Sequence, residues 1–489
     1  MQTDSGANQT GLGARGDGPR EISFLDPESG VQMVKMGELT FPPRKVWIKT
    51  FGCQMNYHDS ERLLSHLKDL NFTQTQEVDD ADMVLFNTCA VRDLSNNKFY
   101  SKLGNMKHAK ARNKDLVVGI GGCVAQVEGK ELVKKYKHLD FAFGTDVIDQ
   151  INDMVYRTYA GDSKFTINSW DRNENFSIET KITQDSPQAF VNIIKGCNKY
   201  CSYCIVPYTR GKERSRKCAE VVTDIKRLVE YSGIQEVTLL GQNVNSYGHD
   251  NGENLAQLLL ELEKIDGLQM VRYTTSHPYD VSDELVAVHG EAKKLSKRLH
   301  LQVQSGSNSV LKRMLREYTV EHYLGLVEKL RKAQPEIVIS TDIIAGFLNE
   351  TQSEHQATLD LLDQAQFDFI YSYVYSERAK TRAAALEDLL PKDIKGERLR
   401  EIQAYQLAIQ AKLRAPLVGK SFRVLVEGTS NMKGIKKWKG RTNCNRIVHF
   451  LPPAEDRDFQ WHWVDVEVLS ATALSCQGQL LKDWGTRLP

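Results

Sequence analysis

Short apolar runs recur along the chain, each followed by a stretch whose apolar positions have helical spacing. From Lys45 onward, Val46-Trp47-Ile48, Met83-Val84-Leu85-Phe86 and Leu116-Val117-Val118-Gly119-Ile120 read as buried strands, with helical patterns at 60–70 and 127–137. Repeated strand–helix units build a parallel sheet covered by helices, so an N-terminal α/β domain is expected over 44–160. The polar stretch 161–187 reads as a linker. Six further apolar runs follow at 190–194, 236–240, 271–275, 299–303, 337–341 and 369–374, with helical patterns such as 219–231, 254–263, 320–333 and 354–365 between them. A complete eight-unit barrel takes roughly 250 residues, so the roughly 200 present here predict an incomplete (β/α)6 barrel over 188–416. Beyond a helix at 394–413, short alternating runs predict a small β-barrel over 417–482. Residues 1–43 show little periodicity and are expected to be a disordered extension.

Cysteines fall at the ends of these strands. Cys197-Asn198-Lys199-Tyr200-Cys201-Ser202-Tyr203-Cys204 follows the first barrel strand. Three thiolates so spaced can grip three irons of a 4Fe-4S cluster and leave the fourth without a protein ligand. A zinc site would want four ligands, and Cys218, the nearest further cysteine, falls in the next predicted helix. Cys53, Cys89 and Cys123 each come just after a strand of the first domain. Neighbouring strands lie about 4.8 Å apart, so cysteines at adjacent tips can converge on a second cluster. Taken singly, each would read as an ordinary buried cysteine. Polar residues also gather where barrel strands end: Gly241-Gln242-Asn243, Ser276-His277-Pro278 and Gln304-Ser305-Gly306-Ser307. Barrel chemistry sits at that face, although Ser307 and Asn308 also suit a helix cap and His277 a turn.

Composition narrows the context. The 489 residues are 41% hydrophobic and carry a net charge of +1, so no whole-molecule field favours a polyanion and any basic patch must be local. Nine cysteines without an apolar leader suggest a reducing, cytoplasmic setting. No run reaches the length of a membrane span. The local patch exists: Lys433, Lys436, Lys437, Lys439 and Arg441, with Trp438 among them, in the final module. A basic strip with an aromatic suits phosphate contacts and base stacking on RNA, and a solvated charged loop is the plainer reading.

Gly52-Cys53-Gln54-Met55-Asn56, Asn87-Thr88-Cys89, Gly121-Gly122-Cys123, the Cys197–Cys204 motif with Pro207-Tyr208-Thr209-Arg210-Gly211, Leu240-Gly241-Gln242-Asn243 and Gln304-Ser305-Gly306-Ser307 together resemble the radical S-adenosylmethionine (SAM) methylthiotransferases. The resemblance spans residues 45–468 and implies two 4Fe-4S clusters and SAM as cofactors, with a TRAM-type RNA-binding barrel at the end. It further implies that Cys197, Cys201 and Cys204 hold the cluster that cleaves SAM reductively. Cys53, Cys89 and Cys123 would hold the cluster that delivers sulfur. Gly241, Gln242, Asn243, Ser276 and Gln304 would contact SAM, with Tyr203 near its adenine. The implied reaction places a methylthio group on C2 of an isopentenylated adenosine beside a tRNA anticodon. The implied partners are the tRNA anticodon stem-loop and an electron donor such as a flavodoxin or ferredoxin, with the enzyme a monomer and no membrane. A threonylcarbamoyl-adenosine or ribosomal-protein substrate stays open, as does a non-catalytic iron–sulfur RNA-binding protein. Two loops depart from the family pattern: Phe347-Leu348-Asn349-Glu350 stands for Phe-Pro-Gly-Glu, and Arg378-Ala379-Lys380-Thr381-Arg382-Ala383 for Arg-Pro-Gly-Thr-Pro-Ala. Asn tolerates the left-handed backbone that Gly supplies, so the first turn is expected to survive.

Overall fold

The computed structural model describes residues 21–27, 29–91, 93–170, 180, 182, 186–432, 434–451 and 457–486. Packing divides the chain into two units: Met1–Gly52, Asp59–Cys89 and Leu94–Asp171 form the first, and Cys53–His58, Ala90–Asp93 and Arg172–Pro489 the second. Among the described residues no helix is long and apolar enough to cross a membrane.

In the first unit β1 (Glu21–Leu25), β2 (Gln32–Met36) and β3 (Leu39–Phe41) form an antiparallel sheet. The expected disorder over 1–43 is thereby corrected from Glu21 onward, while residues 1–20 lie outside the described residues. Val34, Met36 and Phe41 join a core that already holds Leu64, Leu67 and Phe141, so few apolar side chains suffice to order this segment.

The remaining strands of this unit are β4 (Arg44–Thr50), β5 (Phe72–Gln74), β6 (Met83–Thr88), β7 (Val117–Gly122), β8 (Phe141–Phe143) and β9 (Phe165–Ile167). They form a parallel sheet in the order β5-β4-β6-β7-β8-β9. β9 falls inside the stretch expected to be linker, where Phe165 stacks on Phe141 at 5.7 Å. Much of the rest of that stretch, 171–179, 181 and 183–185, lies outside the described residues. The chain leaves β4 for β5 on one side and returns for β6 on the other, a reversal that opens a crevice beyond the carboxyl ends of β4 and β6.

The second unit begins with β10 (Gln188–Asn192), then a short hairpin of β11 (Ile194–Lys195) and β12 (Arg214–Ser215). Next come β13 (Glu236–Leu240), β14 (Met270–Tyr273), β15 (Arg298–His300), β16 (Val338–Ala345) and β17 (Phe369–Val374). Two parallel sheets, β10-β13-β14 and β15-β16-β17, are bridged through Val271–Leu295 and Ser276–Leu301. The result is a six-stranded open arc, the incomplete barrel that the sequence pattern predicts. Its helices contribute Ile225, Leu258, Leu285 and Leu362, which close one core over the strands.

The last five strands, β18 (Ser421–Met432), β19 (Ile435–Thr442), β20 (Ile447–Phe450), β21 (Trp463–Ala471) and β22 (Cys476–Gly485), close a barrel around Val424, Phe450, Val464 and Cys476. Its end at Gly485 lies beyond the expected 482. This barrel docks on the amino-terminal end of the parallel strands. Arg272 pairs with Glu236 at 2.7 Å and donates to the carbonyls of Asn443 and Thr442. Arg446 meets Asp368 at 2.7 Å, and Met270, Leu425 and Trp463 pack beside them. One end of the arc is thus plugged, and the carboxyl ends are left for chemistry.

Both departing loops keep left-handed turns, with Asn349 at φ 55 and Lys380 at φ 72. Asn349 also donates to the Glu387 carbonyl at 3.0 Å and accepts from Leu389 N at 2.8 Å. Asn349→Ala is expected to destabilise the protein by about 2 kcal/mol, from the left-handed penalty and the two lost hydrogen bonds. Asn349→Gly is expected to cost less, because only the hydrogen bonds go. Urea midpoints of the two variants check the order.

Candidate active site

Cys197, Cys201 and Cys204 sit on the loop between β11 and β12, and backbone geometry holds that loop. Gly196, at φ 85, begins it, and a Cβ there would stand 2.0 Å from the Lys212 carbonyl. Cys197 N donates to the Gly211 carbonyl at 3.1 Å and Cys204 N to the Cys201 carbonyl at 3.0 Å. Ser202 is tied by N to the Met314 carbonyl and by Oγ to the Arg313 carbonyl, and its own carbonyl accepts from Ala383 N. The altered loop after β17 therefore supports the cysteine loop directly.

The three thiols on this loop lie near enough to feel one another's charge. Cys197 and Cys201 are buried and Cys204 half-buried, and none of the nine cysteines forms a disulfide. Burial first, and then the neighbouring Cys204, push the Cys197 thiol far above its ordinary range. Burial and Cys201 push Cys204 up to about 12. Near neutral pH such sulfurs become thiolates when positive charge meets them, which an iron–sulfur cluster supplies. Among the described residues no three His, Cys, Asp or Glu side chains are grouped around a single metal ion. Thiolates of a four-iron cluster bind separate irons and so stand farther apart.

A hydrogen-bond relay joins the strand tips to this loop. Gln242 Oε1 accepts from Gly196 N. Asn243 Nδ2 donates to Asp280 at 2.7 Å, Asp280 meets Lys199 at 3.1 Å, and Lys199 meets Glu317 at 3.0 Å. Asn245 exchanges two hydrogen bonds with the backbone of His277. Gln242 and Asn243, expected as SAM contacts, thus brace the loop with their side chains. Gly241 backs onto Ile194, where a Cβ would clash at 2.3 Å. Tyr203 sets its ring edge-on to Phe347 at 6.2 Å.

Open polar groups remain at the mouth. Among the described residues Ser276 Oγ and His277 Nε2 are buried without a hydrogen-bond partner. His277 Nδ1 accepts from Tyr279 N at 3.3 Å, which puts the ring proton on Nε2 as an unspent donor. Burial, with Arg316 and Lys199 nearby, lowers the His277 pKa and keeps the ring neutral. The turn reading of His277 holds for its backbone but leaves this donor over. Thr275 at φ 69 and Gln304 at φ 74 hold left-handed backbone beside these groups, each costing about 1–3 kcal/mol. A polar ligand such as SAM fits this mouth through the orphaned donor and hydroxyl. Ser307, by contrast, caps the helix Asn308–Arg313.

In the first unit the register places Thr88 of β6 opposite Gly122 of β7, so Cys89 and Cys123 follow at matching levels. Gly122 takes φ 90, and a Cβ there would approach the Thr88 carbonyl to 2.5 Å. Thr88 Oγ1 accepts from Val124 N and donates to the Gly121 carbonyl, fixing the turn into the helix Cys123–Lys135. Cys89 and Cys123 are buried. Cys53 follows β4 and is counted with the second unit. There its thiol lies 3.9 Å from Asn56 Oδ1, which also accepts from Arg210 at 2.9 Å.

On the final barrel Lys437, Lys439 and Arg441 alternate along β19 on the face away from its core, and Lys436 is exposed. Lys437 donates to Gln477 and Arg441 pairs with Glu427 at 2.9 Å. Lys433 lies outside the described residues. Trp438 is half-buried and packs edge-on against Phe459 at 5.7 Å, beside the barrel core.

Residues 45–144 match the family described as "Uncharacterized protein family UPF0004", and residues 191–362 the Radical SAM superfamily. The chain is 40% identical over 440 residues to the tRNA-2-methylthio-N(6)-dimethylallyladenosine synthase of Thermoanaerobacter sp. strain X514, covering 89% of this chain and 92% of that one. It is 40% identical over 473 residues to the enzyme of the same name from Acetivibrio thermocellus, covering 95% and 96%. Among solved structures, the radical SAM methyltransferase TsrM of Kitasatospora setae aligns with a TM-score of 0.53 at 12% identity over 70% of this chain and 77% of that one, a likeness of fold.

Because the Cys204 pKa is raised, its thiolate appears only as pH climbs. In the metal-free, reduced protein, Cys204 is expected to alkylate at pH 8 about a hundredfold more slowly than a free thiol, speeding up roughly tenfold per pH unit. A mass-spectrometric time course against iodoacetamide checks this, and a rate within about fivefold of the free thiol contradicts it.

Proposed function

This chain belongs to the tRNA-2-methylthio-N(6)-dimethylallyladenosine synthase family, and from that premise we propose that it adds a methylthio group to C2 of an isopentenylated adenosine next to the tRNA anticodon. The observation that carries the reading is the loop of Cys197, Cys201 and Cys204, tied to the strand tips through Gln242 and Arg316, with the unspent Ser276 hydroxyl and His277 donor at those tips. In this reading those three cysteines hold a 4Fe-4S cluster that supplies the electron for SAM cleavage, and Cys53, Cys89 and Cys123 hold a second that supplies sulfur. The reversal of strand order beyond β4 and β6 supports the second set.

The chain's own residues have plainer tasks. Gln242, Asn243 and Lys199 keep the cysteine loop in register with the strand tips. Ser276 and His277 bind SAM, with Gly241 and Gln304 shaping the mouth and Tyr203 walling it. Lys433, Lys436, Lys437, Lys439 and Arg441 meet RNA phosphates. The low potential needed at the first cluster calls for a one-electron donor of the flavodoxin or ferredoxin type. Nine thiols without a disulfide fit a reducing, cytoplasmic setting.

Mass spectrometry of tRNA nucleosides from cells lacking the protein tests the reading. The methylthiolated isopentenyl-adenosine is expected to vanish while its unmodified precursor accumulates. Loss of methylthiolated threonylcarbamoyl-adenosine instead would move the assignment to that substrate, and unchanged nucleosides would overturn it.

A further inference from the structure

Among the described residues Arg316 is a buried guanidinium without a carboxylate partner. It is 7% exposed. Its Nε donates to Tyr318 Oη at 2.9 Å, one terminal nitrogen to the Gln302 carbonyl at 2.6 Å, and the other to Cys201 Sγ at 3.4 Å. Three arginines buried to a similar degree behave differently. Arg216 meets Asp224, Arg398 meets Glu350 and Arg414 meets Asp368, all within 3.3 Å. Among the described residues Arg316 has no such partner, and leaving a buried charge unpaired is strongly destabilising. The acceptor it reaches that can carry negative charge in the working protein is the Cys201 sulfur.

We propose that Arg316 is the resident counter-charge of the cluster held by Cys197, Cys201 and Cys204, fixing the Cys201 sulfur and raising the cluster's reduction potential. The inference rests on the reading of those cysteines as cluster ligands. A nearby cation favours the reduced, more negative cluster, and a hydrogen bond to a ligand sulfur acts in the same direction. The planar fork suits the task better than an ammonium would, because its three acceptors lie in different directions. Tyr318 passes a hydrogen bond on to the Val303 carbonyl at 2.8 Å, so the guanidinium is anchored to the barrel wall. Arg316 is a positioning residue that acts through the sulfur.

The test uses the full chain with Cys53, Cys89 and Cys123 changed to Ala, so that one cluster remains. Iron is counted after anaerobic reconstitution, and the cluster is titrated with a redox dye set under EPR detection. The starting protein is expected to hold about four irons. Arg316→Gln is expected to hold the same iron while its reduction equilibrium shifts at least about tenfold against the reduced state, ~59 mV for one electron. Arg316→Lys is expected to recover part of that shift. A Gln variant that holds iron with an equilibrium within about twofold of the starting protein overturns the proposal. If the Gln variant loses iron, a Lys variant that keeps it supports the counter-charge, and a Lys variant that also loses it overturns it. A starting protein without iron removes the cluster reading itself, a different failure.

Discussion

Thiolates resist being crowded together away from water. Cys197 and Cys204 are pushed toward the neutral thiol by burial and by neighbouring thiols, so the loop that carries them is a poor arrangement for bare cysteines. It becomes a good one when a cationic inorganic core meets all three sulfurs. The rest of the second unit serves that condition. Backbone bonds close the loop, the strand tips brace it, and Arg316 brings a fixed positive charge to the Cys201 sulfur.

The distribution of strain and satisfaction follows from the same need. At the amino-terminal end of the arc Arg272, Glu236, Ser296 and Asn443 spend their polar groups on one another and lock the small barrel against the parallel strands. At the carboxyl end the protein tolerates left-handed backbone at Thr275 and Gln304 and, among the described residues, leaves Ser276 Oγ and His277 Nε2 without hydrogen-bond partners. A fold that keeps unspent donors where its strands end has reserved that end for a ligand. The first unit repeats the logic at a reversal of strand order, where Gly122 makes room for the turn before Cys123.

Much of this was legible in the chain. Six apolar runs marked the six barrel strands because a parallel strand buried on both faces is written as a continuous apolar stretch. The tight spacing of Cys197, Cys201 and Cys204 marked one candidate ligand set, and the strand-end positions of Cys53, Cys89 and Cys123 marked the other. What escaped had distant causes. The strands between Glu21 and Phe41 are only three to five residues long, too short to show a period, and they order by joining a core made elsewhere in the chain. Trp438 reads as one of a basic strip, and only the alternation of β19 shows that its ring packs toward Phe459, on the face opposite Lys437, Lys439 and Arg441. Arg316 lies 115 residues from Cys201, so no local pattern ties the two. Gln242 and Asn243 stand at the strand tips as expected, but their side chains hold the loop, a division of labour that only the hydrogen-bond partners reveal.

The most direct measurement is anomalous diffraction at the iron edge from anaerobically reconstituted crystals of the full chain. The account predicts two four-iron centres, one bonded by Cys197, Cys201 and Cys204 and the other by Cys53, Cys89 and Cys123, each with an iron that no protein atom touches. A single centre, or a fourth protein ligand closing either one, would contradict it.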